Sequence, residues 1–166
     1  MRRILLMRHA KSSWKESAVA DLERPLNRRG RESAPRMGKW MREQQLAVDY
    51  CLCSPSVRTQ ETFRLWQEAY ETPVELRLVS DLYCGSPDDI VNVLQTVQDR
   101  YHTVLVLAHN PGLEMLAERW SGEWRKFRTA AVAVFSADDL EHWADLKLNK
   151  NRPLLEFQFP KGLEED

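Results

Sequence analysis

The chain has 166 residues, 43% of them hydrophobic and 30% charged, and a formal net charge of −1. That balance suits one compact domain with a real core and excludes a disordered, fibrous or low-complexity chain. No apolar run approaches the roughly 20 residues of a membrane span, and Arg8-His9 cuts the first apolar stretch too short for a signal peptide, so a single cytoplasmic domain over 1–166, with no membrane partner, is expected.

In chain order, Arg3–Met7 predicts a short buried strand. Residues 10–27 are polar and irregular and predict a loop. Asn27 is a suitable N-cap for a helix over about 28–45. Its Ala34, Met37, Trp40 and Met41 recur at helical spacing and give it one apolar face. Asp49–Ser54 predicts a second strand, and Pro55 is expected to open a helix to about Tyr70. Alternation over Val74–Val79 predicts a third strand. Ser86-Pro87 starts a helix to about Asp99. Thr103–Ala108 is a near-continuous apolar run, as in a parallel strand covered on both faces. Pro111-Gly112 leads into a helix to about Trp120, and Ala130–Phe135 predicts a further strand. Trp143–Leu148 and Leu155–Phe159 predict a final irregular hairpin or edge pair. Strands alternating with helices imply an α/β three-layer sandwich around a mainly parallel central sheet.

Charge is unevenly placed. Residues 1–58 hold 13 Lys/Arg and 6 Asp/Glu, whereas residues 59–166 hold 11 and 19. The basic positions form no continuous run, so a pocket for a small anion is expected rather than nucleic-acid binding. Three cysteines, Cys51, Cys53 and Cys84, form no disulfide framework, and Cys51-Leu52-Cys53 reads as buried strand packing. No metal-ligand set and no cofactor motif is visible.

Ligands of open α/β sheets bind beyond the carboxyl ends of the strands. Three predicted strand ends carry polar residues: Arg8-His9-Ala10, Ser54-Pro55-Ser56-Val57-Arg58 and His109-Asn110-Pro111-Gly112. In a parallel sheet they converge, bringing two histidines and two arginines to one crevice. Neutral imidazole is a competent nucleophile near neutral pH, and arginines offer fixed bidentate donors to phosphoryl oxygens. Phosphoryl transfer asks of a protein mainly positioning and electrostatic stabilisation.

Four segments then resemble the histidine phosphatase superfamily, also called phosphoglycerate mutase-like, and more narrowly its SixA-type phosphohistidine phosphatases. They are Leu6-Met7-Arg8-His9-Ala10-Lys11-Ser12, Glu23-Arg24-Pro25-Leu26-Asn27-Arg28-Arg29-Gly30, Ser54-Pro55-Ser56-Val57-Arg58-Thr59-Gln60-Glu61-Thr62 and His109-Asn110-Pro111-Gly112. The resemblance implies a phosphoglycerate mutase-like fold and a phosphatase that needs no metal. It implies His9 as a transiently phosphorylated nucleophile, Arg8 and Arg58 as phosphate-pocket arginines, and His109 as the second histidine at the phosphoryl group. Arg24 resembles a further basic pocket residue, and Asn110 adds a hydrogen bond. Ala10 stands where the superfamily usually has glycine, so that position needs no glycine-only backbone.

A general acid is less legible. Asp21, Glu23 and Asp81 are the candidates, and no acid follows Tyr83 where relatives acting on phosphoesters would carry one. An alkoxide leaving group benefits strongly from a general acid, so such a site is expected to favour phosphohistidine in a protein. A phosphatase for a small phosphorylated metabolite is the alternative, and a non-catalytic phosphate- or nucleic-acid-binding module is the third reading. His102 and His142 read as surface or structural residues. Trp120, Trp124 and Trp143 read as packing residues, and Trp14 as a core cap or part of a substrate entrance. Arg28, Arg29 and Arg31 read as a solvated first helical turn that could touch an acidic partner.

Overall fold

A computed structural model of the chain describes residues 1–16 and 18–163; Ser17, inside the expected loop, and residues 164–166, inside the expected domain, lie outside the description. Six strands form one sheet: β1 Arg3–Arg8, β2 Tyr50–Cys53, β3 Glu75–Leu78, β4 Thr103–Ala108, β5 Val132–Ser136 and β6 Leu154–Gln158, in the order β3-β2-β4-β1-β5-β6. β3, β2, β4 and β1 run parallel, with Leu5 opposite Leu105 and Cys51 opposite Leu105 on its other side. β5 is antiparallel to β1, and β6 to β5.

Alternation in the strands builds two cores. Leu5, Met7, Cys51, Cys53, Leu105 and Leu107 face helices α1 (Arg28–Glu43) and α2 (Val57–Tyr70). Ile4, Leu6, Leu52, Val104 and Val106 face α3 (Pro87–Leu94) and α4 (Gly112–Ser121). The expected three-layer sandwich follows, because β4 and β1 are covered on both faces. Cys51 and Cys53 are buried in the first core, where desolvation raises both thiol pKa values, Cys53 to about 12. They are packing groups, not reactive thiols.

Local chemistry explains where elements begin. Asn27 caps α1 by accepting from the Gly30 N–H at 2.9 Å, as expected. A Cβ on Gly30 would lie 2.1 Å from the Lys11 carbonyl oxygen. Glycine therefore lets α1 start directly against the segment that leaves β1. α2 opens later than expected: Ser56 is its N-cap and Pro55 lies before it. A serine oxygen there accepts an otherwise unpaired first-turn N–H, which proline at that boundary cannot do.

Other boundaries also move. α3 stops at Leu94, not near Asp99, because Thr96 turns its hydroxyl onto the Val93 carbonyl at 2.6 Å and Asp99 is used to hold Trp143. β5 starts at Val132 because Ala130 takes a left-handed φ of 63° to donate its N–H to the His9 carbonyl at 3.0 Å. The tail is not a hairpin: Trp143–Asp145 is a single 3-10 turn with Trp143 buried, and β6 finds its partner in β5. β3 is exposed along its whole length, so the alternation that marked it reflects an edge strand rather than a buried face.

Candidate active site

The strand order places the carboxyl ends of β2, β4 and β1 side by side, so the residues that follow them meet. His9 follows β1, Ser54 follows β2 and His109 follows β4. Arg58 sits in the first turn of α2. His9, Arg58 and His109 are 6%, 3% and 3% exposed. Burial of that degree at three ionisable side chains requires mutual partners.

Arg58 is the hub. Its Nε donates to His9 Nε2 at 3.4 Å and its Nη2 to His109 Nδ1 at 3.3 Å. Its Nη1 reaches the Asp21 carbonyl at 2.7 Å, and Nη2 also meets the Asp21 carboxylate at 3.0 Å. The two imidazole centroids are 5.2 Å apart.

The tautomers follow from the partners. His9 Nδ1 lies 2.7 Å from the Ala10 carbonyl. A carbonyl only accepts, so Nδ1 carries the proton and Nε2 keeps its lone pair. Burial, together with the nearby His109, Arg58 and Arg8, lowers the His9 pKa to about 3. Its ring is therefore neutral throughout the physiological range. His109 accepts from Arg58 at Nδ1, so its Nε2–H donates to Ser54 Oγ at 2.8 Å. Burial, then Arg58, lowers its pKa to about 4.

Arg24 is 8% exposed and is held by Ser12 Oγ and by the Asp21 carboxylate at 3.1 Å. Arg8 donates to the Phe127 carbonyl at 3.0 Å, and burial lowers its pKa. Asn110 Nδ2 holds Glu114 at 3.1 Å and the Phe127 carbonyl at 3.0 Å. Its amide nitrogen thus fixes a loop. Among the described residues, the Nε atoms of Arg8 and Arg24 and Asn110 Oδ1 are buried without a partner at this end of the sheet, and Arg3 Nε and Arg152 Nε and Nη2 are so elsewhere. Unpaired buried donors from two arginines are what an anion pocket would present.

Asp21 does reach the site, but not as an acid. Its carboxylate accepts from the Tyr83 hydroxyl, from Arg24 and from Arg58. Tyr83 first, then the two arginines, hold its pKa well below the usual carboxylate range. It is ionised and lies on the pocket's own arginines. Glu23 and Asp81 are exposed and make no described contact with these groups.

Several participants take roles that the sequence did not assign to them. Ser54 and Thr62 are fully buried; Ser54 orients His109, and Thr62 Oγ1 accepts the Ala10 N–H at 3.0 Å. Tyr83 packs edge-on against His109, with centroids 5.5 Å apart. Trp14 is 73% exposed, which corrects the core-cap reading, and its ring lies 3.7 Å from the Arg24 guanidinium carbon at the pocket rim. Trp124 is also exposed and packs into no core, whereas Trp120 and Trp143 do. Among the described residues no group of three or more His, Cys, Asp or Glu is placed to hold a metal, and no helix is long and apolar enough to cross a membrane.

Residues 4–80, which carry His9, Arg24 and Arg58, match the histidine phosphatase superfamily, branch 1. The structure of a candidate phosphohistidine phosphatase SixA from Nakamurella multipartitia is 31% identical over 96% of both chains, with a TM-score of 0.82. The phosphohistidine phosphatase SixA of Escherichia coli (strain K12) is 27% identical over 82% of this chain and 86% of its own. An uncharacterised protein of Mycobacterium tuberculosis is 34% identical over 85% of this chain and 92% of its own. The chain belongs to the histidine phosphatase superfamily and has its phosphoglycerate mutase-like fold. Within it the chain is of the SixA type, and it is a phosphatase.

Proposed function

We propose that the chain is a phosphohistidine phosphatase acting on phosphorylated protein through a covalent phosphohistidine on His9. One observation carries the reading: His9 presents an unprotonated Nε2 beside Arg58 and His109, with its other nitrogen tied to Ala10. In the first step the Nε2 lone pair attacks phosphorus. The substrate's P–N bond breaks, and its electron pair goes to the leaving imidazole, which takes a proton from solvent. In the second step water attacks the phosphoryl group on His9, releasing phosphate and a proton and restoring neutral His9.

Arg58, Arg8 and Arg24 hold the phosphoryl oxygens. The incoming anion displaces the Asp21 carboxylate from Arg24 and Arg58, and it raises the His109 pKa, adding a fourth cation. Neutral donors and fixed cations in a buried site stabilise developing charge without reorganisation. The leaving group sets the substrate class. Asp21 is ionised, so it holds no proton for an alkoxide. An imidazole leaving group tolerates that, an ester oxygen far less.

The test compares hydrolysis of a phosphohistidine-bearing protein with that of an alkyl phosphate monoester, in parallel with His9→Ala. The expected result is a preference of at least a hundredfold in kcat/KM for phosphohistidine, abolished in the variant. Equal or better turnover of the monoester would favour a small phosphorylated metabolite instead.

A further inference from the structure

Beside the catalytic pocket lies a second basic feature. A cleft of about 310 Å³ is lined by Lys11, Arg29, Arg36, Arg128, Lys161 and Phe159. Among the described residues the one acid that lines it, Glu32, is engaged by Arg28 at 3.1 Å. Among the described residues Lys11, Arg29, Arg128 and Lys161 form no ion pair, and all four are exposed. Arg128 lies over the Phe159 ring, 5.3 Å from its centroid. Four exposed cations gathered from four separate segments repel one another and cost stability unless an anion visits.

The cleft is built on the backbone that frames the nucleophile. Lys11 lies two residues beyond His9, so their Cα atoms are at most about 7.6 Å apart. Arg128 lies two residues before Ala130, whose N–H holds the His9 carbonyl. Phe127, the residue before Arg128, gives its carbonyl to Arg8 and Asn110. Arg29 is brought in by α1, where Gly30 lets the helix press on the Lys11 carbonyl. A polypeptide held by its phosphohistidine at His9 would advance about 3.3 Å per residue. Side chains some two to five residues away would then reach the cleft.

We infer that this cleft is a specificity subsite for acidic side chains flanking the phosphohistidine of a protein substrate, an inference that rests on the phosphoprotein reading above. The occupant is polypeptide carboxylate for two reasons. The cations come from four separate segments of the chain and outnumber what one small anion needs, as several separate carboxylates would use. Phe159 and Pro160 also give the cleft an apolar flank for aliphatic stems.

Two readouts test it. The first is kcat and KM for two synthetic phosphohistidine peptides, identical except that four Glu beside the phosphohistidine in one are Gln in the other. Free phosphohistidine serves as the reference substrate. In low salt the Glu peptide should have a KM about tenfold lower with similar kcat, the sum of a few screened surface pairs. The preference should vanish in Arg29→Glu/Lys161→Glu, while hydrolysis of free phosphohistidine stays unchanged. The second is fluorescence anisotropy of the unphosphorylated Glu peptide, which should bind wild type and not the double variant.

Equal KM values for the two peptides in wild type would overturn the inference and leave the phosphatase reading intact. So would tighter binding of a dT10 oligonucleotide than of the Glu peptide, which would reassign the cleft to nucleic acid. Binding of the Glu peptide without hydrolysis of any phosphohistidine would leave the cleft standing and remove the phosphoprotein reading.

Discussion

The two ends of the sheet hold nearly the same set of side chains and use them in opposite ways. At the carboxyl ends, Arg58, His109 and Asp21 meet beside His9. At the amino ends, Arg2, His142 and Asp99 meet beside Trp143. Arg2 gives its guanidinium to the carbonyls of Leu140, Tyr101, Asp99 and Glu141, at 2.8 to 3.2 Å. That arginine is saturated by backbone and serves as a structural staple. Among the described residues Arg8 and Arg24 keep a buried Nε without a partner beside the two buried histidines, whereas the unpartnered Nε of Arg3 at the amino end has no buried histidine beside it. Burial separates the histidines too. His9 and His109 are pushed down to about 3 and about 4, while exposed His142, bonded to Asp99, is pushed up. Residue type does not make a site; desolvated histidines gathered beside buried arginines do.

The largest effect should fall on His9, the proposed nucleophile. His9→Ala should lower kcat/KM on phosphohistidine by about 10³-fold or more with an unchanged circular dichroism spectrum. Activity near that of wild type would dissolve the distinction between the two ends. Arg58→Lys comes next, because a point charge cannot hold His9, His109 and Asp21 at once; a loss of about 10²-fold in kcat is expected. Asp21→Asn should act in the other direction on ligand affinity. Removing a carboxylate that lies on Arg24 and Arg58 should tighten inhibition by inorganic phosphate about fivefold, read as Ki.

The protonation states sharpen the comparison further. Imidazole proton shifts followed by NMR from pH 8 to pH 5 should show no inflection for His9 and an inflection above 6.5 for His142. The stability signs differ accordingly. Between pH 6.5 and about 3 the unfolded chain binds a proton that folded His9 refuses, so stability complete above pH 6.5 is lost as pH falls towards 3. His142 contributes below pH 6.5, and its contribution is lost as pH rises through its raised value. The smallest effect belongs to His142→Gln, which should leave turnover unchanged and trim thermal stability slightly, only on the acid side.

Strand ends made the cluster proposed as catalytic legible in sequence. His9, Arg58 and His109 stand at fixed offsets from apolar runs, and parallel order alone brings them together. What stayed hidden depends on how loops fold back. Nothing in the composition of residues 10–27 tells that Asp21 would swing onto Arg58 or that Trp14 would face solvent over Arg24. Ser54 was visible as a polar residue at a strand end, but its role was not, because that role depends on a histidine 55 positions away. The β5 boundary was misplaced because Ala130 is a good strand neighbour by type, yet it is bent into a left-handed turn by the His9 carbonyl it must reach. Local propensity cannot foresee a long-range hydrogen bond of that kind.

The central claim, a phosphoryl group carried transiently by His9, is tested most directly by trapping it. The protein is mixed with a phosphohistidine-bearing substrate, quenched within milliseconds in alkali, digested and mapped by mass spectrometry. A phosphoryl group on His9, stable in base and lost in acid, is the predicted result. Rapid phosphate release with no phosphorylated His9 at any quench time, or a label on another residue, would contradict it.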